Sequence, residues 1–163
     1  MKLLVALLLT ACSLAAQAQV PHVIGTWTLN VDASRLPGPA PQSQVRSYTL
    51  TDDGVLIGVA VTVDAQGRPS FLQFAARPDG NDYPEFTAAT AARYLIDKTP
   101  PTRTYSETPI DSSTVKWADK EDGHVIASGK KWVSTDGQTL SYTIAKRRGE
   151  DVDYLIVFNR TGP

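Results

Sequence analysis

HVIASGKKWVSTDGQTLSYTIAKRRGEDVDYLIVFNR, residues His124 to Arg160, decides the fold. Three apolar-alternating runs are separated by two turn signals, Asp136-Gly137 and Arg148-Gly149-Glu150. In the last run Val152, Tyr154, Ile156 and Phe158 share a face, and in the run before it Leu140, Tyr142 and Ile144 do. Successive side chains on a strand point to opposite faces, so a period of two broken by such short reversals predicts antiparallel hairpins. Asp-Gly suits the tightest of them because both central residues tolerate positive φ. The first run, 124–134, offers Ile126 and Trp132 on one side, interrupted by Ser128 and Lys130. Its other side carries Val125, Ala127 and Val133 around Gly129.

The same rhythm extends upstream. Asp52-Asp53-Gly54, Asp64-Ala65-Gln66-Gly67, Asp79-Gly80 and Asp122-Gly123 mark further turns. Between them strands are expected near 24–31, 44–51, 55–63, 69–77, 102–108, 114–119, 124–134, 138–147 and 152–160, with a short one at 82–87. Neighbours joined by short reversals pair antiparallel, so the order is a meander within one domain. Strand 55–63 is apolar on both faces, with Val55, Ile57, Val59, Val61 and Val63 on one and Leu56, Gly58 and Ala60 on the other. Such a strand is expected to be covered outside as well as inside. Two segments break the rhythm. Leu36 to Ser43, LPGPAPQS, reads as a polyproline-like crossing. Phe86 to Pro101, FTAATAARYLIDKTPP, allows a helical turn or two before Pro100-Pro101 ends it. Both are read as surface linkers, the alternative being flaps over an open barrel end.

The chain opens MKLLVALLLTACSLAAQA, with Lys2 before an unbroken apolar run from Leu3 to Ala11. This is the pattern of a secretory signal peptide, residues 1–18, too short and wrongly flanked for a membrane span. Two cleavage sites compete. Ala16-Gln17-Ala18 would leave Gln19 as the mature N-terminus, whereas Leu9-Thr10-Ala11-Cys12 resembles a lipobox that would leave Cys12 lipidated and membrane-anchored. The soluble, periplasmic or secreted product is favoured. Cys12 is the only cysteine, so the domain 19–163 has no disulfide and no cysteine nucleophile or metal ligand. Its 145 residues (163 less 18) suffice for a self-supporting core. Without Lys2, 15 basic residues face 17 acidic ones, which gives no electrostatic reason to expect nucleic acid or anionic lipid as a partner.

Gly25-Thr26-Trp27 opens the first strand, and Val157-Phe158-Asn159-Arg160 ends the last. The first is similar to the Gly-x-Trp of lipocalins and related calycin barrels, which carry an arginine packed across that tryptophan at the closed end. In a barrel closed by its first and last strands, the two segments meet. Along roughly 24–160 the chain resembles uncharacterised bacterial secreted proteins with a lipocalin-like fold. The resembling stretches are GTWTLNVDASRLPGPAP, RPDGNDYP (Arg77 to Pro84), SGKKWVSTDGQTL (Ser128 to Leu140) and VFNR. The fold expected is an all-β, up-and-down antiparallel meander barrel of about 8–10 strands; a β-sandwich would require a long crossover in place of one hairpin.

Barrel closure is assigned to Gly25, Trp27 and Arg160 as structural residues. Trp117, Trp132, Tyr142 and Tyr154 are the candidate ligand-binding residues, since large aromatics on inner faces line pockets as well as cores. No catalytic residue, metal site or cofactor is expected. His22 and His124 lie beside an arm and a turn, where nothing holds an imidazole against a hydroxyl and an acid. The acidic groups Asp119-Lys120-Glu121-Asp122 and Glu150-Asp151-Val152-Asp153 miss calcium-loop spacing and read as solvated hairpin ends. Lys146-Arg147-Arg148 forms a small basic patch at another. The function expected is an envelope binding protein holding a small apolar or amphipathic ligand; the alternative is a filled barrel acting through its surface.

Overall fold

The computed structural model describes residues 23–163; the leader with Cys12, both cleavage sites and His22 lie outside them. Ten strands and one helix follow one another: β1 (Gly25–Arg35), β2 (Ser43–Leu50), β3 (Leu56–Val63), β4 (Pro69–Ala76), β5 (Tyr83–Thr87), α1 (Ala88–Asp97), β6 (Arg103–Pro109), β7 (Thr114–Glu121), β8 (His124–Val133), β9 (Thr139–Arg147) and β10 (Glu150–Gly162). Each strand pairs antiparallel with its sequence neighbours, and β10 pairs with β1 to close the barrel. The up-and-down meander expected from the turn spacing is therefore the fold, and closure leaves no edge strand exposed for pairing with another chain. Among the described residues no crossover of the sandwich kind occurs.

The turns follow from their residues. Asp122 and Gly123 take φ of 50° and 77°, and Arg148 and Gly149 take 50° and 86°, the twist-matched geometry of two-residue hairpins. Longer turns are tied by their own acids: Asp64 Oδ1 accepts from the Gln66 and Arg68 amides, and Asp136 Oδ1 from that of Gln138. The Arg68 amide bond to Asp64, and for Asp136 the Ser134 hydroxyl first and then the Gln138 amide, hold both carboxyls below their ordinary pKa.

The irregular segments differ from expectation in one respect. LPGPAPQ, 36–42, is a loop, although β1 runs on to Arg35 through a bulge after Asn30, where Asn30 Oδ1 accepts from the Ala33 amide and Ser34 Oγ from the Val157 amide. The segment after Phe86 is a full ten-residue helix. Thr87 and Thr90 form a reciprocal capping box at its start, and Lys98 closes it in the left-handed conformation. The box lacks the usual Glu or Gln at its third helical position, which hid it in the sequence. Helix α1 lies against β4 and β5 near the mouth. The outer face of β3 is not covered as expected: Val61 is about half exposed, and Leu95 and Ile96 of α1 point to solvent.

Closure is a local construction at one end. Trp27 is fully buried and donates its indole N–H to Val23 O at 2.8 Å. The Arg160 guanidinium lies 4.1 Å from the centre of the Trp27 ring, donating Nε–H to Gly137 O (2.6 Å) and Nη1–H to Ile24 O (2.8 Å). Gly25 sits beneath it at φ 127°, where an added Cβ would come within 2.3 Å of Arg160 Nη1. A side chain there would displace the arginine.

Candidate functional site

Period-two alternation, once registered around the barrel, sorts its interior into tiers. The tier at the closed end is apolar and filled: Trp27, Leu56, Ala76, Val133, Leu140 and Phe158 are all buried. Above it sits a charged pair that the sequence did not disclose. Lys131 Nζ donates to Glu107 Oε1, both side chains being 1% exposed, and the Tyr105 hydroxyl donates to the same oxygen. The Tyr48 and Tyr142 hydroxyls bond to one another, and Lys131 Nζ lies 4.8 Å from the Tyr48 ring centre. Burial raises the Tyr105 and Tyr142 pKa values well above the ordinary one, helped by Glu107 and Tyr48 respectively, so both phenols stay neutral hydrogen-bond donors.

The upper half holds a partly open cavity of about 130 Å³. Leu72, Phe74, Ile144 and Ile156 supply apolar wall, and Tyr105, Trp117 and Tyr142 aromatic wall. Phe74 stacks on Tyr105 with centroids 3.9 Å apart, while Trp117 meets Tyr142 edge-on at 6.3 Å. Phe74 can lie flat there only because Gly58 faces it: a Cβ at Gly58 would stand 2.4 Å from the Phe74 ring. That explains why the inner face of β3 is the small one, Leu56-Gly58-Ala60, and its valines face out.

Polar wall completes the cavity. Arg46 of β2, Glu85 of β5 and Asp119 of β7 all face it. Arg103 of β6 bridges the two acids, 2.6 Å from Glu85 Oε2 and 3.4 Å from Asp119 Oδ2. The bridge stands where backbone pairing is thinnest, since β5 and β6 share only Tyr83–Tyr105 and Pro84–Thr104. Burial lifts the Glu85 pKa to about 7, with the Asp119 charge adding to it and Arg103 opposing; burial likewise lifts Asp119 to about 6. Arg46 instead packs on rings, its Cζ 4.7 Å from the Tyr142 centroid and 5.3 Å from that of Phe158, with Nη1–H reaching the Tyr48 hydroxyl at 3.4 Å. Arg46 and Leu72 also wall a cleft of about 420 Å³ at the mouth, lined beyond them by Gln44, Thr62 and the start of α1. The two side chains thus partition cavity from mouth.

The candidate residues of the sequence divide between these regions. Trp117 and Tyr142 meet at the cavity. Tyr154 is half-buried on the inner face opposite Ile144 but is not part of the cavity wall. Trp132 is on the outer face between Thr114 and Ser141, because it alternates with the inward Lys131 and Val133. Gly25, Trp27 and Arg160 come together at the closed end. A larger groove, about 740 Å³, lies outside that end among Ser112–Ser113 and Ser134–Gln138, where Arg160 is already engaged. His124 is exposed at the head of β8 opposite Glu121. Of the acidic hairpin ends, Asp119 departs from the solvated reading, being turned inward and bonded to Arg103. Arg46, Glu85 and Asp119 carry a parity signal that could have found them: Arg46-x-Tyr48, Tyr83-x-Glu85 and Trp117-x-Asp119 each place a charge on the face of a large aromatic.

Compared with models of known protein families and with curated proteins, the chain matches none.

Proposed function

We propose that this protein is a binding protein of the bacterial envelope that holds one compact, amphipathic molecule in the upper half of its barrel. The carrying observation is the partly open cavity of about 130 Å³ with aliphatic, aromatic and charged walls. An engineered cavity of about 150 Å³ accepts benzene, so this slightly smaller one suits a body of about six heavy atoms. A barrel of this kind either fills with side chains or holds one small ligand. Here the closed end follows the first course and the open half the second. The mixed walls favour the amphipathic ligand over a purely apolar one, because a polar group buried without a partner is costly. The leader of residues 1–18 supports export, with an outer-membrane anchor through Cys12 as the alternative destination. The resemblance to lipocalin-like secreted proteins supports the same role. No charge excess favours nucleic acid.

The test is native mass spectrometry of the mature protein purified gently from its envelope fraction, with extraction of whatever is bound. A stoichiometric small molecule released on denaturation is the expected result. A clean mass that stays unchanged after incubation with lipid and metabolite extracts would refute it. A second reading has its own observation: Val59, Val61 and Phe71 form an apolar groove outside β3 and β4 beside Ala88, with Leu95 and Ile96 exposed on α1. A surface of that kind fits a barrel acting through a protein partner.

A further inference from the structure

Three buried polar atoms of the cavity-lining side chains have no hydrogen-bond partner among the described residues: the Trp117 Nε1–H, the Arg46 Nε–H and Glu85 Oε1. Trp117 is 6% exposed and Glu85 fully buried, so bulk water does not reach them freely. Two are donors and one is an acceptor. Above pH about 7, where Glu85 and Asp119 are both ionised, they balance the charges of Arg46 and Arg103. A ligand with its own net charge would upset that balance among largely buried side chains, where an unpaired charge is more costly than a missing hydrogen bond. A purely apolar ligand would leave all three atoms unsatisfied.

From this inventory we infer that the barrel binds a small neutral molecule with a carbonyl-type acceptor beside an N–H donor, the chemistry of a lactam or carboxamide, on a compact apolar body. The inference rests on the container reading above and narrows its ligand class. The carbonyl oxygen accepts from Trp117 Nε1–H and Arg46 Nε–H, using both lone pairs. The ligand N–H donates to Glu85 Oε1, and the hydrocarbon part lies against Leu72, Ile144 and Ile156. Because Arg46 also walls the mouth cleft, the ligand's oxygen would hold the partition side chain in place.

The experiment is an NMR titration of the full mature protein at pH 8, above the value near 7 to which Glu85 is pushed, following the Trp117 indole N–H. Four probes of equal heavy-atom count are compared: 2-pyrrolidinone (acceptor and donor), cyclopentanone (acceptor only), methylenecyclopentane (neither) and butyrate (charged). The expected order is 2-pyrrolidinone, then cyclopentanone, then methylenecyclopentane, each step weaker by about fivefold or more, with butyrate not bound. Trp117→Phe, followed in the same titration through the backbone amides of Leu72 and Ile156, should lower the ratio of 2-pyrrolidinone to methylenecyclopentane affinity about fivefold, a ratio that a general loosening of the site would leave unchanged. Methylenecyclopentane binding as well as the lactam, or butyrate binding best, would overturn the ligand class while leaving the container reading intact. Absence of binding by all four to the folded protein would mean that water alone satisfies the three atoms, and would overturn both.

Discussion

Replacing Arg160 by alanine removes three interactions at the closed end in one step. The guanidinium sits 4.1 Å from the Trp27 ring centre and donates to the carbonyls of Gly137 and Ile24 at 2.6 and 2.8 Å. A partly desolvated cation–π contact contributes about 1 kcal/mol, and a hydrogen bond from a charged donor about 1.5 kcal/mol. Together they amount to roughly 3–4 kcal/mol, to which a less well covered Trp27 adds. In a domain of this size 1 kcal/mol moves Tm by about 3 °C, so Arg160→Ala should melt roughly 10 °C below the parent. Arg148→Ala is the matched control. Arg148 is exposed in a hairpin at φ 50°, a conformation that alanine and arginine adopt at similar cost, so the change should stay within about 0.5 kcal/mol. Arg160→Lys keeps the charge but loses the fork, and should fall between the two. Thermal unfolding followed by circular dichroism, with near-ultraviolet signals reporting Trp27, is the assay. Equal melting temperatures for Arg160→Ala and Arg148→Ala would refute the closure.

Four further outcomes follow from the same geometry. Lys131→Met strands Glu107 in the core and should cost about 3–5 kcal/mol in denaturant unfolding, whereas Lys131→Met with Glu107→Leu should recover most of that; equal losses would show that the pair is not a unit. Folding favours protonated Glu85, so its contribution is full below pH about 4.5 and is lost as the pH rises through about 7; stability should fall across that window, and Glu85→Gln should flatten the fall. Gly58→Ala drives a methyl into the Phe74 ring and should destabilise by about 1–3 kcal/mol, partly relieved by Phe74→Leu; an unchanged melting curve would contradict the Gly58–Phe74 contact. Cys12→Ala should leave export and membrane partitioning unchanged if the soluble product is correct, and a shift out of the membrane fraction would establish the lipoprotein.

The strands and their order were legible because hairpin formation is local. Each Asp-Gly turn and each period-two run lies within about a dozen residues, and the physics that makes a two-residue reversal acts on those residues alone. The closure was legible for another reason: the meander left only one place for β10 to go, and Gly25-Thr26-Trp27 and Arg160 were marked at its two ends. The cavity was not legible. Whether Asp119 points at solvent or at Arg103 depends on which parity of β7 faces inward, and Trp117 and Val115 decide that only when β6 and β8 are in register beside them. The same rule turned Trp132 outward and Lys131 inward. The volume of the upper half depends on Gly58 admitting Phe74, a contact between strands that no single run of sequence contains. Sequence by itself determined the strands and their antiparallel order, because those follow from local propensity and connectivity, while the resemblance to lipocalins pointed to the closing residues. Tertiary structure alone decided which charges enter the barrel and where space remains, because burial is a property of all ten strands in register together.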